Sequence, residues 1–423
     1  MFQKTRQRQY AWRQRRPLKR FSAVIALAIV WPVSSLIRRL HRLVARKQAP
    51  RRILVIHFGG LGDTLMLTPA LAAIRQKFPA ARVDCLMSHA YVKEAFRQHP
   101  RLDSIRILPP YNGQWIISRF ANLFGPSLVL AAIRYYPELL LRLTVARYDL
   151  AINFGLGDFD RRLGNAFMYC ADIPIRVGTW ANDSWLTHSR ERLSAHRHRV
   201  DEYLDLLIAL GITNADTAYE YPVTPSDAEF VEAVLDERGI EQNRPLAVIH
   251  PGGKLHVNSR RWPAEYFAHV CDFLCSEGFQ VFLTGDQDDA AVCDEILRLS
   301  RQQLVSIAGL LTFSQSAALL NLADLVVTND TATLHLAEAI AVPRVVSIFG
   351  PTDPSLLVPQ NDRHIVFRSS LPCAPCMGGI IDASTERCWR EVKEECLWQT
   401  TPDQVIAVLS ELYRRPAVRV ASA

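Results

Sequence analysis

Four short stretches gather residue types that handle phosphate, sugar hydroxyls and protons. Gly59-Gly60-Leu61-Gly62-Asp63 has glycines, which allow close backbone approach, and a carboxylate where a helix would open. Asp63 is there either as a helix cap or as a group that takes a proton from an attacking hydroxyl. The stretch is no complete G-x-G-x-x-G, and no Gly-Lys-Ser/Thr follows to make a P-loop. His250-Pro251-Gly252-Gly253, then Ser259-Arg260-Arg261-Trp262-Pro263, joins a glycine turn to permanently charged, bidentate guanidinium groups, which suits a diphosphate. The plainer alternative is a solvated basic loop with Pro263 starting a helix. Asn329-Asp330-Thr331-Ala332-Thr333-Leu334-His335 offers Asp330 as a cap or as a ligand for sugar hydroxyls, with His335 deeper in the helix as a ligand or a core histidine. In Phe349-Gly350-Pro351-Thr352-Asp353-Pro354, Thr352 and backbone amides suit phosphate.

Each stretch follows an apolar run. Arg52–Phe58 reads as a buried strand, Thr68–Phe78 as a helix and Arg82–Met87 as a returning strand, a β-loop-α-β unit of the right length for a parallel sheet. Tyr148–Asn153 reads as another strand of that sheet. A second series runs through Pro245–His250, Phe279–Thr284 (ending in Gly285-Asp286), Leu325–Thr328 and Arg344–Phe349. The expectation is an α/β chain with two doubly wound, Rossmann-like domains, 53–225 and 226–423, and a binding cleft between them. Residues 115–147 are unusually apolar, either as helices packed on the sheet or as a lipid-facing surface near an acceptor site.

The order and spacing of the four motifs resemble glycosyltransferase family 9, the heptosyltransferases of lipopolysaccharide core assembly, from about Arg52 to Tyr413. The carrying elements are Gly59–Asp63 with Thr68–Leu71, His250–Gly252 with Arg260–Pro263, Asn329–His335 and Phe349–Pro354. Tyr148–Ile152 also fits a family strand, with Asn153 where an Asp is common. The resemblance implies a GT-B fold, a nucleotide sugar (ADP-heptose foremost) on the carboxyl-terminal domain, a lipopolysaccharide-core or related glycolipid or glycan acceptor on the other, inversion at the anomeric carbon, and no metal or other cofactor. It makes Asp63 the general base and Arg260 the cation opposite the diphosphate. Asp330 and Thr331 become sugar and phosphate contacts, and Asp288 lies where an acid often holds the ribose. The remaining donor contacts expected are Gly62, Gly252, Gly253, Thr284, Gly285, His335, Gly350 and Thr352. One departure stands out: Ala332 occupies the place of the family's glycine, so a β-carbon stands where backbone and donor approach.

The formal charge of +7 is unevenly spread. Residues 1–52 hold 15 Lys and Arg and no carboxylate, leaving 34 basic against 42 acidic side chains in the remainder. A 17-residue apolar segment, 21–37, spans roughly 26 Å as a helix against a bilayer core of about 30 Å. Beyond it Leu36, Ile37, Leu40, Leu43 and Val44 alternate at helical spacing with Arg38, Arg39, Arg42 and Arg46, the pattern of a helix lying in a membrane interface. Nucleic-acid arms rarely contain such an apolar run, and no small-residue cleavage site follows it. The arm is therefore expected to hold an anionic membrane surface and to bind no nucleic acid. With the family resemblance, that places the chain on the cytoplasmic face of the bacterial inner membrane, peripherally or by a single amino-terminal anchor.

Of nine cysteines, Cys373, Cys376, Cys388 and Cys396 cluster late, a spacing open to a structural zinc or iron–sulfur centre, a disulfide or packed thiols. Cys85, Cys170, Cys271, Cys275 and Cys293 are scattered, as suits a reducing compartment. The leading expectation is a membrane-associated glycosyltransferase. Its competitor is a GT-B protein that keeps sugar-nucleotide binding, or a scaffold role at the membrane, without catalysis.

Overall fold

The computed structural model describes residues 49–108, 132–179, 185–190, 197–240, 244–253, 260–376, 388 and 390–413. Residues 1–48 of the amino-terminal arm and residues 115–131 of the apolar stretch lie outside them. Among the described residues no helix is long and apolar enough to cross a membrane. The chain divides into two compact units. The first comprises Met1–Gly60, Pro69–Ala195 and Glu202–Asp216, and the second Leu61–Thr68, His196–Asp201 and Thr217–Ala423.

The first unit holds strands β1 (Arg52–Ile56), β2 (Arg82–Met87), β3 (Ser104–Ile107), β4 (Leu150–Asn153), β5 (Ile175–Thr179) and β6 (His188–Arg190). They pair in the order β3-β2-β1-β4-β5-β6, every neighbouring pair parallel. Central β1 sets Ile53 opposite both Val83 and Leu150. Ile53, Leu54, Val55 and Ile56 are all buried, since a central parallel strand is covered on both faces and so reads as a continuous apolar run. Helix α1 (Leu61–Lys77) follows β1; α2 (Pro137–Ala146) and α3 (Asp158–Cys170) flank β4. Leu139, Leu140 and Leu143 of α2 share the core with Leu54, Ile56 and Phe167, so this part of the apolar stretch packs inside the unit. Asp84, fully buried on β2, is held by the Tyr148 hydroxyl at 2.8 Å and by Arg82 Nε at 2.9 Å.

The second unit repeats the plan with β7 (Leu246–His250), β8 (Gln280–Leu283), β9 (Val305–Ser306), β10 (Leu325–Asn329), β11 (Arg344–Phe349) and β12 (His364–Arg368). The order is β12-β11-β10-β7-β8-β9, again parallel throughout. Counted from its own first strand, each sheet runs 3-2-1-4-5-6. Strand order therefore reverses between β1 and β4 in one unit and between β7 and β10 in the other, and ligands of such sheets bind beyond the strand carboxyl ends at that reversal. Helices α4 (Ala264–Ser276) and α5 (Pro402–Tyr413) cover one face, burying Phe267, Leu274, Val405 and Leu409 with Ile249 and Val327. Helix α6 (Ala332–Ala339) follows β10.

Helix α1 begins at Leu61, seven residues before Thr68. Pro69 therefore lies inside the helix rather than near its start. Having no N–H, Pro69 cannot satisfy the Leu65 carbonyl four residues back. The Thr68 hydroxyl takes over that task, donating to Leu65 O at 2.7 Å and accepting from the Glu220 backbone N–H at 3.0 Å. The Thr-Pro pair is thus a repaired break in a buried helix. Thr68→Val keeps the volume and strips both bonds, so stability should fall by about 1–3 kcal/mol. A urea unfolding midpoint equal to that of the parent would show that Thr68 has no such role.

Candidate active site

Three loops meet at the carboxyl ends of β7, β10 and β11, and the side chain of Asn329 joins two of them. Its Nδ2 donates to Pro251 O at 2.8 Å and to Gly252 O at 3.1 Å, and its Oδ1 accepts from Trp262 N at 3.0 Å. The Trp262 indole N–H donates to Thr400 O at 2.8 Å, and its buried ring meets Phe267 edge-on. This anchors the two arginines that precede it.

Arg260 turns to Asp330. Its NH1 donates to Asp330 Oδ2 at 3.0 Å and to Asp330 O at 3.1 Å, in a pair whose side chains are only 11 % and 4 % exposed. From the third loop the Thr352 hydroxyl donates to the same carboxylate oxygen at 2.7 Å. Asp330 is therefore no helix cap. Thr331 holds that position at the start of α6, and its hydroxyl lies 3.2 Å from that of Thr328. Arg261 turns the other way, to Gly253 O at 3.1 Å through Nε and to Asp289 Oδ1 at 2.9 Å through NH2.

At 288, where an acid is expected to hold the ribose, two adjacent carboxylates stand in different settings. Asp288 is exposed in a short turn, whereas Asp289 is buried and accepts from Gly253 N at 3.3 Å and Asp286 N at 3.2 Å. Asp286 caps that turn through the N–H groups of Asp288 and Asp289. Thr284 is buried at the end of β8. The glycines have packing reasons of their own. A β-carbon on Gly252 or Gly285 would stand 2.2 Å or 2.5 Å from Asp289, and one on Gly350 would stand 2.9 Å from Leu397. At Gly253 it would meet Arg261 at an ordinary 3.5 Å.

Asp63 lies at the third position of α1, in the part of that helix belonging to the second unit. It is inside the first turn, where a carboxylate complements the helix dipole, and is not the residue preceding the helix. His335 lies within α6, 4 % exposed. Burial pushes its pKa down to about 4, although the charges of Asp330 and Asp63 act in the opposite direction. Burial likewise lowers His250, against Asp289 and Asp286. Both imidazoles are neutral at pH 7, so the cations joined to this network are the two guanidinium groups.

The structure thus brings Arg260, Asp330, Thr352, Thr331 and Gly253 together at one end of the second sheet. Asn329, Arg261 and Asp289 complete the frame. Asn329 and Arg261 stand within motifs the sequence displays, yet nothing in their type announces the partners they hold. Asp289 is hidden by its neighbour, since two adjacent carboxylates are distinguished only by the turn that buries one of them. The late cysteines are free thiols, Cys396 buried and Cys373, Cys376 and Cys388 more open. Among the described residues no group of three or more His, Cys, Asp or Glu side chains is disposed to hold a metal ion.

Two sheets of Rossmann order in one chain, the second ending in a frame suited to a diphosphate and sugar hydroxyls, define a glycosyltransferase of the GT-B type. The profile of glycosyltransferase family 9 (heptosyltransferase) matches residues 139–380, and the chain belongs to that family. It is 24 % identical over 377 residues to lipooligosaccharide heptosyltransferase 2 of Haemophilus ducreyi, covering 85 % of this chain and 99 % of that one. Against the structure of E. coli ADP-heptose lps heptosyltransferase II it gives a TM-score of 0.62 at 21 % identity, covering 86 % of this chain and 98 % of the other. Against E. coli heptosyltransferase WaaC with ADP-2-deoxy-2-fluoro heptose the TM-score is 0.57 at 18 % identity, with 85 % and 99 % covered.

Proposed function

We propose that this glycosyltransferase moves heptose from ADP-heptose to a sugar hydroxyl of the lipopolysaccharide core or a related glycan, inverting the anomeric carbon without a metal ion. The observation that carries this reading is the buried Arg260–Asp330–Thr352 network at the strand reversal of the second sheet. A guanidinium has five N–H donors, and the bonds to Asp330 engage NH1, so the same group can also face a diphosphate. The Asp330 carboxylate, oriented by two donors, is set to accept hydroxyls of the transferred sugar. The ADP-heptose and fluoro-heptose named with two structurally similar proteins support the choice of donor.

In the proposed reaction Asp63 takes the proton of the acceptor hydroxyl as its oxygen attacks the anomeric carbon. The bond from that carbon to the diphosphate oxygen breaks, and its electron pair leaves with the nucleoside diphosphate. Arg260 and the amides at the start of α6 stabilise the departing charge. The basic arm, residues 1–52, holds the enzyme on the anionic cytoplasmic face of the inner membrane. A chain lacking it should leave anionic vesicles yet retain turnover of a soluble truncated acceptor. Loss of that turnover would contradict this division of labour.

Asp63→Asn is nearly isosteric and should lower kcat by about 10²- to 10⁴-fold while donor affinity holds. Arg260→Lys keeps a cation beside buried Asp330 but loses the planar fork, so it should weaken donor binding together with turnover. Calorimetric titration with ADP-heptose and initial rates on core oligosaccharide separate the two effects. Full activity in Asp63→Asn would remove Asp63 from the role of base.

A further inference from the structure

Gly62 and His335 are far apart in sequence and occupy one place in the second unit. A β-carbon built on Gly62 would stand 2.6 Å from His335 Cδ2, 3.3 Å from its Nε2 and 3.6 Å from the Ala332 Cα. The first turn of α1 therefore lies directly on the His335 ring and the start of α6, and the next residue along that turn is Asp63. The ring is enclosed on another side by Tyr219, with centroids 6.2 Å apart and planes tilted by 31°.

Two features separate His335 from a residue that only fills space. Its Nδ1 is buried without a hydrogen-bond partner among the described residues, a cost that an apolar side chain of similar size would avoid. The ionisable groups around it come from several elements: Asp63 on α1, Asp330 after β10, His198, and His364 on β12. Glu338, on the same helix, is bound instead to His364 at 2.7 Å and to Arg363 at 2.6 Å, and its charge adds to burial in raising the pKa of the Tyr219 hydroxyl.

Taking Asp63 as the base, we infer that His335 is a positioning residue. Its ring seats the Gly62–Asp63 turn, fixing where the carboxylate is presented, and Gly62 lacks a side chain because that ring fills the space. The close approach expected at this glycine is thus an approach to protein, whatever the donor does on its other side.

A double-mutant cycle on the full-length protein tests the inference in two ways. In thermal unfolding without substrate, Gly62→Ala should lower the midpoint in the parent and leave it unchanged in a His335→Ala background, where the obstructing ring is gone. In steady-state kinetics with ADP-heptose and core oligosaccharide, His335→Ala should lower kcat by about 10- to 100-fold while the donor KM stays within about twofold, since a misplaced catalytic group costs rate rather than binding. The double variant should match His335→Ala alone.

Equal stability costs for Gly62→Ala in both backgrounds would overturn the packing relation. An effect of His335→Ala confined to donor KM would overturn the positioning role and make His335 a donor contact. If Gly62→Ala fails to fold, the split between kcat and KM in His335→Ala decides the matter. Asp63→Asn, run in parallel, keeps the two readings apart. Its full activity would refute the base, whereas its inactivity beside an unaffected His335→Ala would refute only the present inference.

Discussion

One buried amide holds the active-site frame of the second unit together. Asn329 ends the central strand β10 with its side chain fully enclosed, and it needs both halves of its amide at once. The NH2 group answers two carbonyls of the Pro251–Gly252 turn, while the oxygen answers the N–H of Trp262. An aspartate of the same shape has acceptors alone and would set a carboxylate against two carbonyl oxygens. Because the amide fixes both turns relative to β10, the arginines before Trp262 and the acid after Asn329 arrive in register.

The charges then settle by proximity and burial. Arg260 and Arg261 lead in opposite directions, one to Asp330 and the other to Asp289, so neither buried carboxylate lacks a cation. Such pairs add little net stability when intact, but removing one partner leaves an expensive buried charge. Their value is orientation. Gly252 and Gly285 sit where the Asp289 side chain comes too close for a β-carbon, and His250 and His335 stay neutral, leaving positive charge with the two guanidinium groups. The result is an anion-seeking frame with few ways to rearrange.

The central strands of both sheets are legible in the sequence, since β1, β7, β8 and β10 are apolar runs ended by glycine or polar residues, and β2 and β11 are apolar apart from Asp84 and Ser347. The outer strands are not. Ser104–Ile107, Ile175–Thr179, Val305–Ser306 and His364–Arg368 are short, carry polar or charged residues and are less fully buried, so no run marks them. The start of α1 was obscured by Pro69, whose usual place near a helix start masks a helix already eight residues long. In the active site, Arg260, Asp330 and Thr352 are visible as residue types at the right spacing. Their mutual bonds, the buried Asp289 and the contact of Gly62 with His335 arise from tertiary proximity, which spacing along a chain does not encode.

The central claim is that the nucleotide sugar is bound by the frame at the β7–β10 reversal of the second unit. Hydrogen–deuterium exchange with and without saturating ADP-heptose tests it most directly, since ligand contact slows the opening of the amides it covers. Protection is expected across His250–Gly253, Asp330–His335 and Gly350–Asp353. Protection confined to the loops after β1 and β4, with those three segments unchanged, would contradict it.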